Sequence, residues 1–206
     1  GRKISFKNNK KIATISKGKK NNFFAPYSLV KTMRAGILVL GPLLAKNKKA
    51  KVSSPGGCSI GVRPIDIHLK AISKLGVKIK IEKGYVNAKA QEGLVGSEIR
   101  FSKISVGATE NSILAACLAK GTTTIKNCAI EPEIKDLTNF LKTAGSKIKW
   151  IGKRTLKIEG VKTLKSITYS IMNDRIEAGT FCVAACLNSG NLKIKNFEPK
   201  IINTEI

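Results

Sequence analysis

The residues best suited to chemistry lie in one loop, between positions 54 and 68, that glycine and proline punctuate. Cys58 stands in this loop, and Arg63 and Asp66 follow it closely. Glycine lets the backbone approach a ligand, and a thiol beside a fixed positive charge ionises more easily and reacts faster. The loop therefore predicts a reactive thiol next to an anion site, with an inert loop cysteine as the alternative.

Four further side chains are candidates for binding. The guanidinium of Arg63 presents a rigid fork to phosphate or carboxylate, although a surface salt bridge would use the same group. Arg34 precedes the apolar segment 35–45, where burying an arginine would be costly, so a substrate-facing position is favoured. Asp66 suits a helix N-cap as well as a ligand contact. His68 is the only histidine, and its place near a helix start favours packing or ligand contact over a role as catalytic base.

A second candidate site lies where a helix is predicted to begin. Ser105 and the amides that lead into the helix at Thr109 are suited to holding a phosphate, because the amides at a helix N-terminus point outward at the positive end of the dipole. A plain capping turn is the alternative.

The five cysteines include no CxxC pair and no Cys/His cluster, so the sequence predicts no disulfide framework and no metal site. A reducing cytoplasmic compartment fits this usage. Apart from Cys58, the cysteines are predicted to be small core hydrophobes: Cys117, Cys128, Cys182 and Cys186.

The net charge of +25 suggests a nucleic-acid partner, yet other features argue against one. Few of the 38 basic residues are arginine, the lysines are spread along the chain, and aromatic residues make up only 5%. A basic nucleic-acid-binding module therefore stays an alternative. The longest apolar run, 35–45, is shorter than the roughly 18 residues of a membrane span, so no membrane partner is predicted.

Internal repetition indicates the architecture. Three pairs of segments align at one offset of 69 residues, the distance from Ala108 to Glu177: 108–121 with 177–190, 75–81 with 144–150, and 122–127 with 191–196. Fainter echoes of the same unit occur at 1–6 and 37–47.

Each unit has the same predicted elements. An amphipathic helix such as 66–75 ends at a glycine, two alternating strands such as 77–81 and 85–90 follow, and then a strand, an apolar helix and a strand. The helices 110–120 and 177–188 are small and apolar on nearly every side, so both are predicted to be buried. The fold class is α/β, with helices inside and sheets facing water.

Five segments in order along the chain resemble the UDP-N-acetylglucosamine enolpyruvyl transferase family: 25–35, 54–68, 105–111, 131–137 and 174–180. The resemblance implies an inside-out α/β barrel of three repeated units, roughly 1–65, 66–131 and 132–200. It also implies that 1–206 is most of one barrel domain of a longer reading frame, since the chain starts with Gly and lacks a second domain. We expect such a fragment to be inactive alone.

The resemblance implies transfer of the enolpyruvyl group from phosphoenolpyruvate to the 3′-hydroxyl of UDP-N-acetylglucosamine, with release of phosphate, in cytoplasmic peptidoglycan synthesis. The partners are these small-molecule substrates, and no metal or organic cofactor is implied. Cys58 matches the proton donor that forms a covalent adduct and reacts with fosfomycin. A sister enzyme with another acceptor and a non-catalytic paralogue remain alternatives.

The resemblance also assigns the binding residues. Arg63 and Arg34 face the substrates. Two segments hold the nucleotide, the first being Pro64, Ile65, Asp66 and Ile67, and the second Lys103, Ile104, Ser105 and Val106. Further candidates are Gly107, His68 and Arg175, although Asp174 or Glu177 would equally tie Arg175 into a structural network.

Overall fold

A computed structural model describes residues 4–7, 12–15, 22–30, 33–54 and 64–202. A 3-10 helix, Arg34–Val39, runs directly into α2, and a short one, Pro199–Ile202, follows the last α-helix. The α-helices are α1 (Tyr27–Val30), α2 (Leu40–Asn47), α3 (Asp66–Lys74), α4 (Val106–Ala116), α5 (Pro132–Thr143) and α6 (Arg175–Leu187). The strands are β1 (Ile4–Lys7), β2 (Ile12–Ile15), β3 (Phe24–Ala25), β4 (Lys49–Ser53), β5 (Lys78–Glu82), β6 (Tyr85–Lys89), β7 (Glu98–Arg100), β8 (Thr122–Lys126), β9 (Lys147–Gly152) and β10 (Thr155–Glu159).

Two four-stranded sheets repeat one topology. Their orders are β3-β4-β6-β5 and β7-β8-β10-β9. In each sheet the first pair is parallel and the other two pairs are antiparallel. Strands β1 and β2 form a separate antiparallel pair. The unit bounds 1–65, 66–131 and 132–200 stay a prediction.

The hairpins and the amphipathic helix form as the sequence pattern predicts. Helix α3 is followed by Gly76 at φ +82°, and β5 turns into β6 through Lys83 and Gly84, both at positive φ. Glycine reaches this left-handed region without the steric cost that a side chain brings. The helix predicted over 66–75 is confirmed to within one residue at its C-terminal end.

Helix α4 lies in the core, as predicted for the first of the two apolar helices. It packs against α2, α3, α5, β8 and β10. The sheets alternate buried and exposed residues, as in β10, so one face covers the helices and the other meets water. The helix begins four residues before the predicted start of 110 because Ser105 caps it. The predicted class, helices inside and sheets outside, is confirmed.

Two predictions about the third repeat are wrong in the described chain. Helix α6 forms, but Ala178 is its only buried residue, and Phe181 and Leu187 are exposed. Among the described elements, α6 packs mainly against the short 3-10 helix at Pro199–Ile202, and its Arg175 contacts Glu133 on α5, so most of its apolar surface is exposed. The segment 191–196 is not a strand, because no described strand lies beside it to accept its backbone hydrogen bonds.

Helix α2 approaches α4 at a position that only glycine can occupy. A Cβ built on Gly41 would lie 2.5 Å from the backbone oxygen of Asn111 and 2.6 Å from its Oδ1. Real Cβ atoms essentially never come this close to another atom. The pairing of the two helices therefore depends on the missing side chain.

We predict that Gly41→Ala lowers the free energy of unfolding by about 1–3 kcal/mol. Alanine is favoured over glycine within a helix by about 1 kcal/mol, but the clash is with backbone and a hydrogen-bonded amide, so strain outweighs propensity. Urea unfolding of the polypeptide that contains this chain measures the change. Gly152→Ala is the control, since its Cβ would meet only Thr155 at 3.6 Å. Equal stability of the two variants would contradict the close approach.

Candidate functional site

The reactive loop falls mostly outside the described residues. Cys58 and Arg63 lie in 55–63, so their predicted roles stay predictions. Both ends of the loop are placed: the backbone N–H of Ser54 donates to the carbonyl of Gly84 (2.8 Å), and Pro64 leads into α3. The loop thus runs from the end of β4 to the start of α3. The backbone of Arg34 opens the 3-10 helix.

The first predicted nucleotide segment forms the start of α3. Pro64 is exposed, Ile65 is half-buried at the N-cap, and Ile67 is buried in the core. Asp66 is the first helical residue, so its predicted N-cap role is wrong by one position. Its carboxylate instead lies in the first turn, 3.5 Å from Lys70 Nζ, where the helix dipole favours a negative charge.

The second predicted segment leads into α4. Lys103 and Ile104 are exposed, and Ser105 is the N-cap, whose Oγ accepts a hydrogen bond from the amide of Ala108 (3.3 Å). This is the capping turn that was the alternative to a phosphate site. The two roles are compatible, because the first amides of a helix, here those of Val106 and Gly107, have no intrahelical acceptor.

The two segments meet at a contact between His68 and Gly107. His68 is 5% exposed, in agreement with its predicted packing role. A Cβ built on Gly107 would lie 3.0 Å from Cε1 of His68 and 3.3 Å from its Nε2. The imidazole therefore packs against the backbone of the first turn of α4. Through this contact, the N-terminal turn of α3 packs against the N-terminal turn of α4.

Asn111 connects a third segment, the 3-10 helix and the start of α2, to the region where His68 contacts Gly107. The side chain is fully buried on α4. Its Oδ1 accepts a hydrogen bond from the amide of Gly41 (2.7 Å), and its Nδ2 donates to the carbonyl of Ile37 (3.1 Å). The same Nδ2 is 3.4 Å from Nδ1 of His68. This role was not predicted from the sequence, although an asparagine on a helix expected to be buried is a signal for a buried polar contact.

An open basic groove borders both segments. It has a volume of about 300 Å³ and lies between α3 and β7. Ile67 and Ser102 form part of its wall, and Lys70, Lys74 and Arg100 also line it. Three cations on one groove attract anions, so the groove suits a phosphorylated ligand.

Arg175 is held by an ion pair across the fold. Its Nε and NH2 groups donate to the two carboxylate oxygens of Glu133, each at 3.0 Å, and the arginine side chain is 14% exposed. The structural partner is thus Glu133, not Asp174 or Glu177 as the sequence suggested. Asp174 caps α6 instead, since it accepts from the amides of Ile176 (2.9 Å) and Glu177 (3.0 Å).

The pKa values of two carboxyl groups, Glu133 and Glu110, are shifted in opposite directions. Hydrogen bonds from Arg175 lower the pKa of Glu133, although burial acts against this effect. Burial raises the pKa of Glu110, and the negative charge of Glu133 raises it further. Local sequence patterns do not reveal this cluster, because its members, Glu110, Glu133 and Arg175, lie on three different helices.

Two of the four other cysteines are core residues, as predicted. Cys117 and Cys128 are fully buried, and burial raises the pKa of Cys128 to about 11, so its thiol stays protonated at neutral pH. The prediction is wrong for Cys186, which is exposed, and Cys182 is only half-buried. Both lie on α6, whose apolar surface is uncovered in the described chain.

Among the described residues, no three His, Cys, Asp or Glu side chains group closely enough to hold a metal ion. In the same part of the chain, none of the helices combines the length and apolar character that crossing a membrane requires.

Sheets outside and a buried helix inside define an α/β protein of the enolpyruvyl transferase fold. The chain resembles the enolpyruvyl transferase NikO from Streptomyces tendae with a TM-score of 0.73 and 22% identity, over 89% of this chain and 43% of that one. It also resembles EPSP synthase from Acinetobacter baumannii, with a TM-score of 0.66 and 19% identity, over 90% of this chain and 42% of that one. These likenesses show the fold alone.

A family model described as EPSP synthase (3-phosphoshikimate 1-carboxyvinyltransferase) matches residues 1–206, so the chain belongs to this family. Two relatives carry the name UDP-N-acetylglucosamine 1-carboxyvinyltransferase. The one from Pelagibacter ubique is 67% identical over 96% of this chain and 48% of its own length, and the one from Psychrobacter is 53% identical over 88% and 42%. The resemblance read from the motifs is confirmed, and the chain spans about half the length of these relatives.

We predict that Glu133→Gln destabilises the fold in a pH-dependent way. A carboxyl whose folded pKa is lowered contributes stability above its unfolded value of 4.5, and that stability is lost as the pH falls through the folded pKa. The variant should therefore unfold more easily at about pH 7, by roughly 1–3 kcal/mol, and the difference should shrink toward about pH 3.

Urea unfolding at a series of pH values measures this dependence. Glu159→Gln is the matched control, because Glu159 pairs with Lys147 at 2.7 Å in full solvent, where water screens the charges. It should change stability far less. A Glu133→Gln effect that is small or constant across the pH range would contradict an ion pair that stabilises the fold.

Proposed function

We propose that the polypeptide containing this chain transfers the enolpyruvyl group of phosphoenolpyruvate to the 3′-hydroxyl of UDP-N-acetylglucosamine and releases phosphate. Two relatives more than 50% identical to the chain carry the name of this activity. The reaction would commit the sugar nucleotide to peptidoglycan synthesis. A cytoplasmic location stays a prediction from the cysteine usage.

One observation carries the proposal: segments 64–67 and 103–106 adjoin at the contact of His68 with Gly107. The resemblance assigned both segments to the nucleotide, although they are some 40 residues apart in the sequence. A single ligand can touch both only if the fold brings them together. The groove beside these two segments has three cationic side chains, which would attract the diphosphate of the sugar nucleotide.

The proposed chemistry is addition followed by elimination. The 3′-hydroxyl oxygen forms a bond to the central carbon of phosphoenolpyruvate while the methylene carbon takes up a proton. The C–O bond to phosphate then breaks, a proton leaves the new methyl group, and the double bond re-forms as an enol ether. The hydroxyl gives up its proton as its oxygen bonds to carbon, so the reaction needs a base near the 3′-hydroxyl, an acid near the methylene, and cations around the phosphate and carboxylate.

This chain would supply the acid and part of the cationic surroundings. Cys58 is assigned as the proton donor that also forms a covalent adduct with phosphoenolpyruvate. Arg63 and Arg34 would bind the phosphate and carboxylate, because a guanidinium donates two parallel hydrogen bonds to either group. Glu133 accepts hydrogen bonds from Nε and NH2 of Arg175, so a contact between this arginine and the substrates stays a prediction. We infer that the Glu133–Arg175 pair holds the N-termini of α5 and α6 together.

Two other functions make different predictions. A sister transferase would release phosphate with another acceptor, and UDP-N-acetylglucosamine would not compete for the site. A basic nucleic-acid-binding module would bind DNA or RNA in a salt-dependent manner and would be insensitive to substitution of Cys58. Competition by the sugar nucleotide therefore separates the proposed transferase from both alternatives, and phosphate release separates the sister transferase from the nucleic-acid-binding module.

We predict that Cys58→Ser abolishes sugar-nucleotide-dependent phosphate release and labelling by fosfomycin. A serine hydroxyl is a much weaker acid and nucleophile than a thiol at neutral pH. Phosphate release from phosphoenolpyruvate is measured with and without UDP-N-acetylglucosamine, and labelling by the mass of the intact polypeptide.

The matched control is Cys186→Ser, which removes an exposed thiol on α6 and should leave both signals intact. Labelling that persists in Cys58→Ser would refute the assignment of the reactive thiol. Phosphate release that does not need the sugar nucleotide would refute the acceptor.

A further inference from the structure

The groove between α3 and β7 has an apolar floor and a cationic rim. Its floor consists of four buried side chains: Ile67, Ala71, Ile99 and Phe101. Its rim has three exposed cations: Lys70, Lys74 and Arg100. Apolar walls of low dielectric constant focus the field of such charges into the groove. A cleft of this kind raises the local concentration of anions and the rate at which they bind.

The spacing along α3 places two of the cations on the groove. Lys70 and Lys74 follow Ile67 by three and seven residues, so all three share one face of the helix. The two lysines are one turn apart and repel each other, and Arg100 lines the same groove from β7. This repulsion costs the fold free energy, and a bound anion would offset it.

The carboxylates beside the rim cancel little of its charge. Asp66 lies 3.5 Å from Nζ of Lys70, and both side chains are well exposed, so water screens the pair. Glu98 pairs with Lys126, whose hydrogen bond lowers the pKa of this carboxyl, and the charge of Arg100 acts in the same direction. Within the described chain, the other two cations of the rim lie beyond ion-pair distance of any carboxylate.

The groove is continuous with the two proposed nucleotide segments. Ile67 belongs both to the groove and to the first segment. Ser102 lines the groove and directly precedes Lys103, the first residue of the second segment. Consecutive Cα atoms are about 3.8 Å apart, so an anion held in the groove is already close to both segments.

We propose that the rim of this groove speeds the binding of the sugar nucleotide: Lys70, Lys74 and Arg100 attract the diphosphate and raise the rate at which it reaches the segments 64–67 and 103–106. This inference rests on the proposed function for its ligand. The three side chains are exposed, so they act through long-range attraction rather than through desolvated hydrogen bonds. Exposed charges at the edge of a site change the association rate and its salt dependence more than the dissociation rate.

The groove variant, Lys70→Gln with Lys74→Gln and Arg100→Gln, removes the charges and keeps long polar side chains. At about 0.1 M salt, kcat/KM for UDP-N-acetylglucosamine should fall about threefold or more, while kcat changes by less than about twofold. At about 1 M salt the Debye length shrinks from about 10 Å to about 3 Å, so the difference from the wild type should largely disappear. A variant that exchanges Lys for Arg and Arg for Lys at these positions keeps the charges and should match the wild type.

The matched control is the hairpin variant, Lys147→Gln with Lys149→Gln and Lys153→Gln. It removes three exposed charges as well, and one of them, Lys147, is paired with a carboxylate as Lys70 is. Strand β9 lies three strands from β7, about 14 Å away, which exceeds the Debye length of about 10 Å at 0.1 M salt. The hairpin variant should therefore keep the wild-type kcat/KM at both salt concentrations.

The assay uses the polypeptide containing this chain at saturating phosphoenolpyruvate, and calorimetry gives the Kd of UDP-N-acetylglucosamine alone. A wild-type kcat/KM that does not fall with salt overturns the inference, and this measurement needs no variant to fold. A loss in the groove variant that persists at high salt overturns it too, as does an equal loss in the hairpin variant, which would reflect net charge alone.

Calorimetry separates a failure of this inference from a failure of the proposed function. If the wild type binds UDP-N-acetylglucosamine but releases no phosphate, the proposed function fails. A Kd that rises only in the groove variant, and only at low salt, then still supports the inference. If the sugar nucleotide does not bind, both are overturned.

Discussion

A polar side chain buried among packed helices must find hydrogen-bond partners, and the fold depends on how Asn111 meets this requirement. An unsatisfied buried amide costs about 1–3 kcal/mol, which is a large share of the stability of a domain. Asn111 reaches backbone on the 3-10 helix and α2 and a ring on α3. The contacts form only because Gly41 and Gly107 leave room for close approach.

The position of the site follows from this packing. The helices that meet at Asn111 carry the predicted binding residues at their N-termini or just ahead of them, so packing in the core brings those residues together at its edge. The ends of the reactive loop, at Ser54 and Pro64, join the same structure through β4 and α3. The sheets contribute by covering the helices, and their outer faces carry lysines in water, which account for part of the positive charge.

The sequence predicted what local patterns can encode. The glycine after α3, the hairpin of β5 and β6 and the apolar character of α4 each depend on residues a few positions apart. It did not predict the partner of Arg175, because Glu133 lies 42 residues away and on another helix. The apolar composition of α6 predicted a buried helix. Burial also requires another element that covers the helix, and in the described chain most of α6 is exposed. The role of Asn111 was missed for the same reason, since its partner Gly41 is 70 residues distant.

Hydrogen exchange of the backbone amides, with and without UDP-N-acetylglucosamine, tests the central claim that α3 and α4 form one nucleotide site where they meet. We expect the sugar nucleotide to slow exchange together at 65–67 and at 103–107, with little change in the exposed hairpin of β9 and β10. Protection of only one segment, or of neither while the ligand is bound, would contradict it.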